Sequence, residues 1–145
     1  MKVVIQRVEQ TVVKVADQVI ASMGKGLLLL LGIAAEDDGN QIPWLAKKIV
    51  ELRIFPDQEG KMNLSVKDIG GEILLVSQFT LCANTDRGRR PDFFIAAEPE
   101  KAEKLYEEFA LELEKHGIKP KLGSFGAYMK ISLTNDGPVT FVLER

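Results

Sequence analysis

The chain has 145 residues, 46% of them hydrophobic and 28% charged, with a formal net charge of −2. That is enough apolar side chain for one buried core, and the charge balance offers no overall attraction to nucleic acid. One cysteine, Cys82, and one histidine, His116, exclude an intrachain disulfide and leave a zinc site short of its four ligands, so neither metal nor cofactor is expected.

The first ten residues, MKVVIQRVEQ, alternate apolar and polar positions and lack the apolar core of a signal peptide. Strands are expected at Lys2–Glu9, Thr11–Val15 and Gln18–Met23, with Ala16-Asp17 as a turn. Gly26 to Ile33 is apolar throughout, the pattern of a strand buried on both sides. The apolar run to Ala35 is far shorter than the about 20 residues of a membrane span. A cytoplasmic location is the simplest expectation.

After EDDGN, Asn40 is a candidate cap for a helix that carries Pro43 in its first turn. Ile42, Leu45, Ala46, Ile49 and Val50 recur at helical spacing and define one buried face. Arg53 to Phe55 is a candidate short strand, followed by the long loop PDQEGKMNLSVKDIGG, of a length often associated with function. Glu72 to Leu81 is expected as an apolar strand ending in SQFTL. A second helix is expected from Pro99 to His116, with Ala102, Leu105, Tyr106, Phe109 and Leu113 buried and Gly117 closing it. Lys119–Leu122, Met129–Leu133 and Val139–Leu143 complete the strands. The order implies a single α/β domain over residues 1–145, with a curved, barrel-like sheet system and two packed helices.

Familiar nucleophilic devices are missing. A serine or cysteine nucleophile needs a base, and His116 sits in the last turn of the long helix. No P-loop and no HExxH motif occurs. An enzyme with this sequence would position a reactive substrate and stabilise an oxyanion. Ser77, Gln78, Phe79 and Thr80, at the end of an apolar strand, are suited to that task through their backbone N–H groups. Strand alternation would turn Ser77, Phe79 and Leu81 one way and Gln78 and Thr80 the other. The same residues also fit an ordinary strand end.

The segment NDGPVTF, Asn135 to Phe141, lies between two strand candidates. Asn-Asp-Gly alone would make a tight hairpin turn. Pro138 is surplus to that need, removing a donor and restricting Gly137. A basic loop, TDRGRRPD, gathers Arg87, Arg89 and Arg90 and is either a solvated loop or a local phosphate contact.

Together these segments resemble the D-aminoacyl-tRNA deacylase family over nearly the whole chain. The resemblance rests on Val4, Gln6, Arg7 and Val8, on RIFPDQEGKMNLS from Arg53, on SQFTL from Ser77 and on NDGPVT from Asn135. Arg90-Pro91-Asp92-Phe93 and Phe125-Gly126-Ala127 with Met129 add to it. It implies an esterase that cleaves a D-amino acid, and by extension glycine, from the 3′-terminal adenosine of tRNA. It also implies a homodimer in which a cis Gly137-Pro138 unit reaches into the other subunit's pocket. There it would act as a backbone wall that rejects L-aminoacyl-tRNA. Ser77 to Thr80 would then line the pocket, and Phe125 and Met129 would contact the terminal adenine. Arg7 would brace the Gly-Pro loop, across or near the interface. With no base to activate Thr80, the expected nucleophile is a water activated by the ribose 2′-OH.

Two other readings compete. One is a non-catalytic RNA-binding or assembly module, in which Gly137-Pro138 is only a structural hinge. The other is a hydrolase using Cys82 as nucleophile, although a lone cysteine is more often a small buried hydrophobe.

Overall fold

The computed structural model describes residues 1–86 and 88–145. Its elements in chain order are β1 (Lys2–Val15), β2 (Gln18–Met23), β3 (Gly26–Gly32), α1 (Ile42–Glu51), β4 (Phe55–Pro56), β5 (Met62–Leu64), β6 (Glu72–Ser77), α2 (Pro99–Lys115), β7 (Lys121–Leu122) and β8 (Lys130–Glu144). A 3₁₀ turn at Phe79–Cys82 follows β6.

The main sheet runs β2-β1-β3-β6-β7, with β8 paired to β1. The first half of β1 lies between β3 and β8, and its second half lies between β2 and β8. Changing neighbours along one long strand forces the sheet to curl. The curl is held where β2 approaches β6 and β7. Gly24 N donates to Glu72 Oε2 at 2.9 Å, and Lys121 Nζ donates to the Ser22 carbonyl at 2.6 Å. The result is an α/β fold with a barrel-like sheet and two helices packed on it.

β3 and β6 are parallel, with Leu27 opposite Ile73 and Leu31 opposite Ser77. Leu27, Leu29 and Leu31 join Ile73, Leu75 and the helix residues Leu45, Ile49, Phe109 and Leu113 in the larger core. Leu28 and Leu74 point the other way, into a smaller core with Val8, Val13 and Met23. Both faces of β3 are therefore covered, which is why its sequence never alternates.

Four expectations are corrected. The strands expected at Lys2–Glu9 and Thr11–Val15 are one strand. Asn40 does not cap α1. The N-cap is Gln41, without a side-chain cap, and the Asn40 amide instead donates to Asp38. The long loop after Phe55 contains the β4–β5 hairpin, whose turn is tied by Asp57 accepting from the N–H groups of Glu59 and Lys61. Asn63 also donates to Asp57, and this bond holds the Asp57 carboxyl below its ordinary value. Finally, NDGP is not a hairpin turn. The strands expected at Met129–Leu133 and Val139–Leu143 are replaced by one continuous strand, β8, which begins at Lys130 and runs antiparallel to β1.

Candidate active site

β6 ends at Ser77, and the chain turns at once into the 3₁₀ turn. The alternation expected through Leu81 therefore stops at Gln78. Gln78 N donates to the Leu31 carbonyl at 2.8 Å, so the end of β6 stays stitched to β3. Gly32 makes the turn sterically feasible. A Cβ there would lie 2.8 Å from Leu81 Cβ and 3.2 Å from the Gln78 carbonyl oxygen.

The first residues of a helical turn have no acceptor for their N–H groups within the turn. Phe79 and Thr80 are those residues, and their N–H groups make no hydrogen bond among the described residues. Phe79 lines a cavity, whereas Thr80, expected there, does not; a free donor at such a place is what stabilisation of a developing oxyanion requires. The Thr80 hydroxyl accepts from the Gln78 amide. An amide cannot take a proton, and among the described residues no base is hydrogen-bonded to the Thr80 hydroxyl.

The cavity has a volume of about 480 Å³ and sits at the carboxyl ends of the parallel pair β3 and β6, where ligands of α/β sheets commonly bind. Ser77, Gln78 and Phe79 form one wall, and Phe125 and Met129 form another. Phe125 packs against Tyr106, with ring centroids 5.8 Å apart. Tyr106 in turn donates its hydroxyl to the Leu75 carbonyl at 2.8 Å, and burial pushes its phenol well above the ordinary value. Ala96, Ala97 and Ile131 are also part of the lining. Sequence reasoning missed these three, because plain apolar residues carry no signal of what they surround.

The second motif is elsewhere. Opposite β1, Gln6 pairs with Thr140 and Val8 with Asn135, so Asp136, Gly137, Pro138 and Val139 all stand opposite the lone Arg7. They form a wide bulge. The Gly137-Pro138 peptide is cis, Gly137 has φ 133°, and both residues are exposed. Side chains of the motif tie the bulge. Asn135 Oδ1 accepts from Val139 N at 2.7 Å, and Asn135 Nδ2 donates to Thr140 Oγ1 at 3.1 Å. Arg7, buried, donates from Nε to the Asp136 carbonyl at 3.1 Å and from Nη1 to the Ile54 carbonyl at 2.6 Å. Arg7 thus braces the Gly-Pro loop within its own chain and ties it to Ile54, the residue just ahead of the β4–β5 hairpin. Roles for Asn135 and Asp136 were not separable from the motif in sequence, since both first suggest turn chemistry.

Neither Gly137 nor Pro138 lines the cavity. Three strand spacings separate β8 from β6, about 14 Å of sheet width, and the bulge sits level with Ile73, about 13 Å along the strand from Ser77. One chain does not bring the two motifs together.

Cys82 is the buried last residue of the 3₁₀ turn. Burial pushes its thiol up, and the nearby Asp37 carboxylate acts in the same direction, which works against the thiolate that a nucleophile needs. Arg89 and Arg90 are exposed, and Arg87 lies outside the described residues. Among the described residues no helix is long and apolar enough to cross a membrane.

The profile of the family described as D-Tyr-tRNA(Tyr) deacylase matches residues 4–144. A D-aminoacyl-tRNA deacylase of Desulfatibacillum aliphaticivorans is 54% identical over 144 residues, covering 99% of both chains. One of Protochlamydia amoebophila is 56% identical, covering 99% of this chain and 95% of its own. A solved structure described as c-Myc DNA Unwinding Element Binding Protein superposes with a TM-score of 0.94 at 43% identity, over 100% of this chain and 99% of that one. With its fold, its cavity and both motifs in place, this chain belongs to the D-Tyr-tRNA(Tyr) deacylase family and is, as such, a hydrolase.

Proposed function

We propose that this chain hydrolyses the ester between a D-amino acid and the 3′-terminal adenosine of tRNA, as a homodimer in which each pocket is completed by the other copy. The deacylase names of the full-length relatives support the reaction. The separation of the two motifs supports the dimer. If SQFT and Gly137-Pro138 act on one substrate, they must come from different copies. Exposed apolar side chains suited to such a contact include Phe79, Phe94 and Ile95 near the cavity, and Phe141 and Val142 beyond the bulge on β8.

In this reading Phe125 and Met129 hold the terminal adenine, while the N–H groups of Phe79 and Thr80 face the scissile carbonyl. Ser77 and Gln78 shape the wall between them. Gly137-Pro138 of the other copy confronts Cα. With ammonium and carbonyl pinned, the two enantiomers exchange hydrogen and side chain. A wall of backbone therefore excludes the L side chain whatever its identity. Glycine has no side chain to exclude and is cleaved too. Water attacks, activated by the ribose 2′-OH, because no protein base stands beside Thr80. Arg89 and Arg90 meet tRNA phosphates. The protein works in the cytoplasm with its substrate.

The deciding experiment follows ester loss from D-tyrosyl-tRNA, L-tyrosyl-tRNA and glycyl-tRNA. Cleavage of the D and glycyl esters with the L ester spared is expected. Thr80→Ala should retain substantial activity, and a 2′-deoxy terminal adenosine should abolish it. Trapping of an acyl group on Thr80 would sink the water mechanism. Mixing a Gly137 variant with a pocket variant, each inactive alone, should restore activity through mixed dimers. Failure of that rescue would overturn the shared site. A nucleic-acid-binding role without catalysis draws support from the name of the 43%-identical structure, and cleavage of none of the three esters would favour it.

A further inference from the structure

Tyr128 is 85% exposed and yet lines the mouth of the cavity. A tyrosine ring usually gains stability by burying its apolar body, so a ring held in water at a cavity mouth is poised for something to cover it. The local backbone sets this orientation. Gly123 N is tied to the Leu75 carbonyl at 2.9 Å, Ala127 N to the Ser124 carbonyl at 3.2 Å, and Gly126 takes φ 70°. The turn leaves Phe125 and Met129 half-buried in the wall and Tyr128 outside.

The surroundings indicate what the cover is. Gly126 and Lys130, which flank Tyr128, are exposed, as is Ser124. Tyr128 is thus flanked along the chain by exposed polar and small residues, while the cavity it borders is lined mostly by apolar side chains. On the same cavity, Phe79 stacks edge-on to Phe93 at 4.9 Å, and Phe93 follows Arg89 and Arg90 in the chain. Exposed aromatic rings bind single-stranded nucleic acid by stacking on its bases.

We propose that Tyr128 is a stacking platform for the base that precedes the terminal adenosine. The protein would then grip the unpaired 3′ end of tRNA over at least two nucleotides. This rests on the reading that the cavity holds the terminal adenosine. The next nucleotide must then leave through the mouth that Tyr128 borders.

The test compares D-tyrosyl-tRNA with D-tyrosyl-adenosine, which lacks the preceding base, for the wild type, Tyr128→Ala and Tyr128→Trp. For Tyr128→Ala, the rise in KM on the tRNA substrate should exceed that on the adenosine substrate by about 5- to 150-fold, the equivalent of about 1–3 kcal/mol of lost base stacking. Tyr128→Trp, which keeps a stacking face, should stay near wild type on both. Equal losses on the two substrates would make Tyr128 only a pocket wall and overturn the platform. So would unchanged kinetics on tRNA, or a drop from dimer to monomer mass in light scattering, which would assign the ring to a contact between copies. Wild-type protein inert on both substrates would instead overturn the deacylase reading itself.

Discussion

Arg7 and Asp136 meet twice. The guanidinium Nε lies 3.0 Å from the Asp136 carboxylate Oδ2 and 3.1 Å from the Asp136 carbonyl oxygen. Side chain and backbone of the residue just before Gly137 are both held by one buried cation, whose other arm is fixed on Ile54. The bulge therefore has a pose defined by contacts within its own chain.

Arg7→Lys is the direct probe of that pose. A lysine is a point charge and cannot span Ile54 and Asp136 together. Losing hydrogen bonds to a buried charge should lower the unfolding free energy by about 2 kcal/mol. Deacylation should fall further, by up to about 10²-fold, because the loop shifts relative to the substrate. Denaturant unfolding and kcat/KM on D-tyrosyl-tRNA separate the two effects. Full activity in a destabilised Arg7→Lys protein would show that the loop's pose is not set by Arg7.

Gly32→Ala tests the other wall. The added methyl would press on Leu81 and on the Gln78 carbonyl, displacing the turn that presents the N–H groups of Phe79 and Thr80. A displacement of about 1 Å at these donors should cost about 10²-fold in kcat. Gly24→Ala is the control, since its new Cβ would meet only Glu72 Oε2, at 3.9 Å. Equal activity of the two variants would argue against catalysis by the turn's backbone donors.

Glu72 makes acid stability testable. Its carboxyl is held below its ordinary value of 4.5, chiefly by Lys121 and then by Gly24 N–H. A carboxyl lowered on folding adds stability above its unfolded pKa, and that contribution fades as pH falls through the folded value. Glu72 joins β2 to β6 and β7, so its protonation should loosen the curl of the sheet. Thermal melts of wild type and Glu72→Gln should differ near pH 7, and the gap should close as pH falls below 4.5 and through the lowered folded value. A gap that persists in acid would show that the carboxylate's charge is not what matters.

Much of this architecture was legible in the sequence. The apolar stripes at Ile42–Val50 and Leu105–Leu113 give both helices, because helical periodicity is a local property. The unbroken apolar run of β3 announces burial on both sides. The shape of β8 was not legible, since Asn-Asp-Gly-Pro fits a hairpin turn and a bulge equally well. The choice is made by β1, more than a hundred residues away, which pairs with both arms of β8. The break at Gln78 was hidden for a similar reason, because it depends on the space above Gly32 in a different strand. The motifs disclosed which residues to watch. Their placement three strands apart is a property of the folded sheet alone.

β8 is a strand of 15 residues that pairs on one side only, with β1, among the described residues. A long bare edge of this kind is a template on which further chains can add, strand upon strand, into fibres. The bulge at Asp136–Val139 breaks its row of donors and acceptors midway, and Pro138 deletes one donor outright. The kink that displays Gly137-Pro138 therefore also guards the protein against aggregation, so straightening it should lower solubility as well as catalysis.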